Sequence, residues 1–169
     1  KRVLDMPQDF QVVVLSGRNK EVQKEIERVA KGSKKKTVIL GYTEDMPKLM
    51  KTANLLLSKP GGLTTAEALA CGLPMVILDP VGGQEERNAD MLLENGAAIK
   101  CTELTVLQYK LGQLLDNPNH LSHMAKKAAL LGHPDSTREV VDTILNDQAG
   151  PYIITSKQEK ALRERVKLG

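Results

Sequence analysis

Residues 55–78 read LLLSKPGGLTTAEALACGLPMVIL, and this stretch decides the fold. An apolar run over residues 53–58 predicts a strand, and the two glycines that follow predict a loop. Residues 63–70 predict a helix that Gly72 ends, and the proline two positions later prevents its continuation. The apolar run over residues 75–78 predicts the next strand. Two strands joined by a helix form a βαβ unit with parallel strands, so the sequence predicts an α/β fold.

The same alternation of short apolar runs and longer amphipathic runs continues on both sides of this unit. The predicted order is strand 11–15, helix 20–30, strand 37–40, helix 46–52, strand 53–58, helix 63–70, strand 75–78, helix 84–95, strand 97–100 and helices 103–116, 118–131, 137–146 and 156–167. We expect a parallel sheet flanked by helices on both faces. Residues 1–149 are expected to form this domain, and residues 150–169 a tail helix that docks on another domain.

Composition indicates a globular protein and excludes several functions. The chain has 169 residues, of which 41% are hydrophobic, and its longest apolar runs are too short to span a bilayer. A net charge of +3 and 2% aromatic residues argue against a nucleic-acid partner. Two cysteines are too few for a disulfide framework or a zinc site, so we expect a reducing cytoplasmic compartment and no metal.

Residues 58–67 form the first candidate binding loop, because ligands of parallel sheets bind at the carboxyl ends of the strands. Gly61 and Gly62 let a ligand approach the backbone closely. The free N–H groups of residues 62–65 and the helix dipole favour an anion such as a diphosphate, and Lys59 is a candidate cation. Glu67, expected in the first helical turn, suits the two hydroxyls of a ribose.

The same residues are also typical of a helix start with no ligand. In that interpretation Glu67 only complements the dipole and Thr64 is only a cap. The loop matches neither a Walker motif nor G-x-G-x-x-G.

Two further loops follow neighbouring strands. Residues 79–89 carry Gln84, Glu85 and Asn88 at a helix start, where amides suit sugar hydroxyls, although an exposed polar helix face fits the same pattern. Tyr42 and Thr43 follow an earlier strand, where backbone groups pair with the edge of a base or form an ordinary turn.

Taken together, residues 41–46, 58–68 and 80–89 resemble the donor-binding half of two-domain nucleotide-sugar glycosyltransferases. The sequence is most similar to the diacylglycerol sugar transferases, which are bacterial processive glucosyltransferases and plastid monogalactosyldiacylglycerol synthases. It is more distantly similar to the peptidoglycan N-acetylglucosaminyltransferase. The resemblance covers residues 12–99 and implies one half of a GT-B fold, in which two Rossmann-like domains face a cleft.

The resemblance also implies a role for each loop. The helix start at residues 62–66 would meet the diphosphate of a UDP-sugar, and Glu67 would bind the ribose. Backbone groups of Thr43, with Tyr42 beside it, would read the uracil, while the second loop would face the hexose. The expected donor-binding set is Tyr42, Thr43, Lys59, Gly61, Gly62, Leu63, Thr64, Thr65, Ala66, Glu67, Gly83, Gln84, Glu85 and Asn88.

The family's first strand of this domain, its acceptor domain and its general base would all precede residue 1. We therefore expect a piece of an inverting enzyme that moves a hexose to a diacylglycerol-type lipid at the cytoplasmic face of the membrane. No cofactor or metal is expected, and the isolated chain should be inactive. His120, His123 and His133 are interpreted as surface residues. An N-acetylglucosaminyltransferase, a sugar-nucleotide epimerase and a non-catalytic subunit completed by a membrane partner remain alternatives.

Overall fold

The computed structural model describes residues 1–146, in which strands and helices alternate as far as the fifth strand. The elements are β1 (Val12–Leu15), α1 (Lys20–Ala30), β2 (Thr37–Leu40), α2 (Met46–Thr52), β3 (Leu56–Ser58), α3 (Gly62–Ala70), β4 (Met75–Leu78), α4 (Gln84–Glu94), β5 (Ala98–Cys101), α5 (Leu104–Leu115), α6 (Pro118–Leu131) and α7 (Ser136–Asn146). The predicted α/β class is confirmed.

The largest difference in element bounds is at β3, which begins at Leu56 and not at Ala53, because Ala53 is the C-cap of α2. The Ala53 N–H still donates to the Leu49 carbonyl, as the C-cap of α2. Leu56 makes the first bond of the strand, to the carbonyl of Pro74. Hydrophobic runs alone do not show where a helix ends when the strand follows at once.

The described strands are all parallel and form two sheets. β1 pairs with β2, and β4 lies between β3 and β5. Val13 lies opposite Val38 in the first sheet, and both side chains are exposed on the same face as Leu15. The expectation that helices cover both faces therefore does not hold for this sheet.

β4 is the centre of the core of the larger sheet. Met75, Val76 and Ile77 are all fully buried. Because strand side chains alternate, Met75 and Ile77 join one cluster with α3, α4 and α6, while Val76 joins another with α5 and residues near the start of the chain. Ala68 of α3 and Ala89 of α4 belong to the first cluster and are also fully buried. The core therefore fixes the positions of α3 and α4, whose starts form the candidate site.

The chain divides into two compact units, residues 1–134 and 135–169. Among the described residues, α7 belongs to the second unit and has no buried residue. The predicted tail helix and the domain boundary at residue 149 lie outside the described residues. No helix within residues 1–146 is long and apolar enough to cross a bilayer.

Candidate functional site

The start of α3 is open to a ligand. Gly61 is the N-cap, no side chain bonds to the first turn, and that turn holds no acidic residue. The N–H groups of Gly62, Leu63 and Thr64 occupy the first three helical positions, which have no partner within a helix. The expectation that the Thr65 N–H is also free is wrong, because it donates to the Gly61 carbonyl at 2.8 Å. Three free amides at the positive end of the dipole form a seat for an anion.

Thr65 carries a buried hydroxyl near the start of α3, on the helix face that also holds the buried Ala68 and Leu69. The residue is 4% exposed, and its Oγ1 has no hydrogen-bond partner among the described residues. A buried hydroxyl without a partner costs about 1–3 kcal/mol, so it is uncommon where nothing binds. Thr65 was predicted at this site, but its burial could not be read from the sequence.

Of the other residues predicted on this helix, Thr64 is half-buried and the rest are exposed. Because α3 begins at Gly62, Glu67 is the sixth residue of the helix and lies in its second turn, so the expectation of a first-turn carboxylate is wrong. Leu63, Ala66 and Glu67 are exposed, which leaves the first two only backbone groups to offer a polar ligand. Lys59 is also exposed and forms no ion pair among the described residues.

The start of α4 differs from that of α3 in its charge and in the backbone conformation of the loop before it. Its N-cap, Gly83, has φ 90°, and Asp79 at the end of β4 has φ 35°. Glu85 and Glu86 both lie in the first turn. The Glu85 carboxylate accepts a hydrogen bond from the Val81 N–H at 2.7 Å, which closes the loop on the helix. This carboxylate oxygen is therefore occupied by the protein itself.

The two loops are in direct contact. The Asn88 side-chain Nδ2 donates to the Pro60 carbonyl at 2.8 Å. The Gln84 Nε2 lies so near the start of α3 that a Cβ built on Gly62 would approach it to 3.2 Å. The structure thus brings Gln84, predicted as a sugar contact, beside the anion seat.

Tyr42 and Thr43 lie at the end of β2, in the other sheet. Tyr42 is 61% exposed, and the Arg18 guanidinium lies 4.6 Å from the centroid of its ring. The Thr43 hydroxyl accepts from the Asp45 N–H, so its side chain shapes the start of α2 and leaves only the backbone for a ligand. Arg18 was not predicted as a site residue, although it lies at the carboxyl end of β1, where ligands of parallel sheets bind.

Other candidate sites offer less. A cleft of about 460 Å³ lies between residues 7–11 and Lys34–Lys36, next to the start of β2 and opposite the carboxyl ends. Lys35 there donates to the Gln8 carbonyl and covers the Phe10 ring, so it is already partnered. Residues 1–146 contain no cluster of three metal-ligating side chains. The three histidines are exposed, as predicted: His120, His123 and His133.

The site thus consists of a helix start with free amides, at α3, and an adjoining polar helix start, at α4. The two lie at the ends of neighbouring parallel strands and touch through Asn88. An exposed aromatic ring follows β2. Free amides at a helix start bind anions, and amide side chains bind hydroxyl groups.

The chain is similar in sequence to bacterial glycosyltransferases. At 33% identity over 152 residues, the chain is similar to the processive diacylglycerol β-glucosyltransferase of Bacillus licheniformis, covering 90% of this chain and 39% of that protein. It is 30% identical to the enzyme of the same name from Bacillus subtilis, covering 88% of this chain and 38% of that protein. The chain thus spans less than two-fifths of the length of these relatives.

Solved structures support the fold. MurG of Acinetobacter baumannii matches 85% of this chain and 52% of its own, with a TM-score of 0.66 and 20% identity. A UDP-GlcNAc 2-epimerase from Neisseria meningitidis, bound to UDP-GlcNAc, matches 84% of this chain and 46% of its own, with a TM-score of 0.54 and 16% identity. At these identities the likeness concerns the fold alone.

The family profile that matches is the glycosyltransferase family 28 C-terminal domain, over residues 1–140. The chain belongs to this family.

Proposed function

We propose that this chain is the donor-binding domain of an inverting glycosyltransferase that moves a hexose from a UDP-sugar to a diacylglycerol-type lipid. The observation that carries the proposal is the start of α3, which has three free amides and no acidic residue in its first turn. The names of the Bacillus relatives support the lipid acceptor and the hexose chemistry.

In the proposed reaction, the lipid hydroxyl oxygen forms a bond to the anomeric carbon as the bond from that carbon to the diphosphate breaks. The lipid proton passes to a base, and UDP leaves with both electrons of the broken bond. The free amides of Gly62, Leu63 and Thr64 would stabilise the charge that grows on the leaving oxygen, with Lys59 as a further cation. In this proposal the transfer needs no metal or other cofactor.

We assign Gln84 to the hexose together with the start of α4, and Glu67 to the ribose from the second turn of α3. Backbone groups of Thr43, beside Tyr42, would face the uracil. The base and the lipid groove would belong to an acceptor domain outside this chain. The enzyme would act peripherally at the cytoplasmic face of the membrane, and the isolated chain would bind donor without turnover.

The proposal is tested by titrating the chain with UDP, UDP-glucose, UDP-galactose, UDP-N-acetylglucosamine and ATP, read by calorimetry. We expect the uridine nucleotides to bind and ATP to bind far more weakly. The preferred sugar identifies the hexose, and a preference for UDP-N-acetylglucosamine would replace the lipid hexosyltransferase with an N-acetylglucosaminyltransferase. An equal response to ATP, or hexose transfer to diacylglycerol by the chain alone, would contradict the proposal.

Glu67→Ala tests the ribose assignment. Because a carboxylate that accepts two hydroxyl hydrogen bonds adds about 1.5–3 kcal/mol, we expect UDP to bind roughly 10- to 150-fold more weakly. The loss should disappear when 2′,3′-dideoxy-UDP, which lacks both hydroxyls, replaces UDP as the ligand. Glu94→Ala, at the other end of the neighbouring helix, is the control and should bind UDP like the wild type. Unchanged affinity in Glu67→Ala would remove Glu67 from the site.

A further inference from the structure

Asn88 makes a contact across the site that none of the predicted ligand roles explains. Its Nδ2 donates to the Pro60 carbonyl at 2.8 Å, and the two residues are 28 positions apart. Pro60 is fully buried and Asn88 is half-buried, so the bond is partly shielded from water. The amide donor of Asn88 is thus used by the loop before α3.

This bond fixes the orientation of one peptide unit. In a planar trans peptide the carbonyl and the next N–H point in opposite directions. Holding the Pro60 oxygen therefore also sets the direction of the Gly61 N–H, immediately before α3 begins. The Gly61 carbonyl in turn accepts the first hydrogen bond of the helix, from the Thr65 N–H at 2.8 Å. The position of the first free amides follows from the plane that Asn88 holds.

The loop needs such a restraint because its sequence provides little of its own. Gly61 and Gly62 have no side chain to pack, and a Cβ at Gly61 would meet nothing within 4 Å. Consecutive glycines lose more conformational entropy on ordering than other residues. A hydrogen bond from a helix that is anchored in the core by Ala89 and Leu92 offsets that freedom.

We propose that Asn88 is a positioning residue that holds the anion seat of α3 in place from α4. This inference rests on the proposed function, in which the α3 start binds the diphosphate. Asn88 touches the Pro60 carbonyl and acts on the ligand through the amides that follow it. It thereby connects the sugar side of the site to the phosphate side.

Binding measurements distinguish the positioning role of Asn88 from a direct contact with the sugar. If Asn88 only contacted the hexose, its loss would weaken UDP-glucose and leave UDP unchanged. If it positions the anion seat, its loss weakens both ligands by the same factor, because both carry the diphosphate.

The variants are Asn88→Ala and the isosteric Asn88→Asp, which replaces the donor with an acceptor facing the Pro60 carbonyl. The matched control is Asn95→Ala at the C-cap of the same helix, since the Asn95 Nδ2 also donates to a carbonyl, that of Met91, at 2.8 Å. Affinities for UDP and UDP-glucose are measured by calorimetry on the full chain. Amide hydrogen exchange of residues 61–64 is measured without ligand, and thermal unfolding verifies folding.

We expect Asn88→Ala to bind UDP and UDP-glucose about five- to tenfold more weakly, by equal factors, as loss of one hydrogen bond predicts. Asn88→Asp should lose more, and Asn95→Ala should lose nothing. Residues 61–64 should exchange faster in Asn88→Ala and at the wild-type rate in Asn95→Ala.

A loss confined to UDP-glucose would overturn the inference, and so would a fall in melting temperature with unchanged affinity. Failure of the wild-type chain to bind UDP would refute the proposed function instead. Hydrogen exchange is measured without ligand and tests Asn88 directly. Unchanged exchange at residues 61–64 in Asn88→Ala would disprove the positioning role of Asn88 even if UDP binds.

Discussion

Helices α3 and α4 begin in the same way but in different electrostatic surroundings. Each follows a parallel strand, has a glycine as N-cap and receives no hydrogen bond from a capping side chain. The first turn of α3 contains no acidic residue, whereas that of α4 contains Glu85 and Glu86. Carboxylates at a helix start offset the positive end of the dipole. The difference supports the proposal that the charged part of the ligand binds at α3 and its uncharged hydroxyls at α4.

The two N-cap glycines also differ in why they are needed. Gly83 has φ 90°, a conformation that residues with a side chain rarely adopt. Gly61 has φ −63° and ψ 149°, which any residue adopts, and no protein atom lies where its Cβ would be. Backbone geometry explains the glycine before α4. In the proposed function, the glycine before α3 leaves room for the bound diphosphate.

The largest effect is expected when α3 is given the charge of α4. Thr64→Glu places a carboxylate in the first turn, at the seat of the diphosphate. Repulsion of about 4 kcal/mol at 4 Å near a protein surface predicts at least a roughly 100-fold loss of UDP affinity in calorimetry. The same carboxylate should stabilise the unliganded helix by about 0.3–1 kcal/mol, so the melting temperature should rise slightly.

Thr64→Gln is the neutral control of similar size, and we expect it to lose far less affinity than Thr64→Glu. If the two variants bind UDP equally, the α3 start holds no anion and the contrast with α4 has no functional meaning.

A smaller effect is expected at the buried hydroxyl of α3. Thr65→Val keeps the shape and removes an Oγ1 that has no partner in the unliganded protein. Removing that unsatisfied group should stabilise the fold by about 1 kcal/mol, whereas UDP should bind about fivefold more weakly if the hydroxyl meets the diphosphate. The melting temperature should therefore rise while the UDP affinity measured by calorimetry falls.

Thr52→Val is the matched control, because the Thr52 hydroxyl already donates to backbone carbonyls in α2. That variant should be less stable than the wild type and bind UDP normally. A fall in stability for Thr65→Val would mean that its hydroxyl is satisfied, and would remove it from the anion seat.

The sequence predicted most of the fold because its signals are local. Asn19 was predicted as an N-cap, and its side chain accepts from the Glu21 and Val22 amides at the start of α1. The bounds of α1, β2, α2, β4 and α6 agree with the prediction for the same reason, since caps, glycines and hydrophobic period mark them. Pairing between strands is not local, so the division of the strands into two sheets could not be read from the pattern.

The site was predicted less completely, because hydrogen bonds between distant residues leave no local signal. Gln84 and Asn88 share a helix face by their spacing, but nothing in that spacing shows that Asn88 donates to Pro60. Glu85 was expected to face a sugar, while its carboxylate accepts from Val81. Of the predicted residues, the structure brings Gln84 and Asn88 next to the loop and start of α3. The sequence did not show which of their polar atoms the protein itself uses.

The smallest effect is expected when α4 loses part of its charge. Glu86 is exposed in the first turn, so Glu86→Gln should cost about 0.3–1 kcal/mol of stability through the dipole and tighten UDP binding by only about twofold. Glu94→Gln, at the other end of the same helix, is the control: it should raise stability slightly and leave UDP affinity unchanged. Since exposed charges are screened by salt, the gain for Glu86→Gln should vanish in about 0.5 M salt. A tenfold gain in UDP affinity that persists in high salt would place the diphosphate against α4, because only a carboxylate close to the phosphates resists screening. The roles of the two helix starts would then be exchanged.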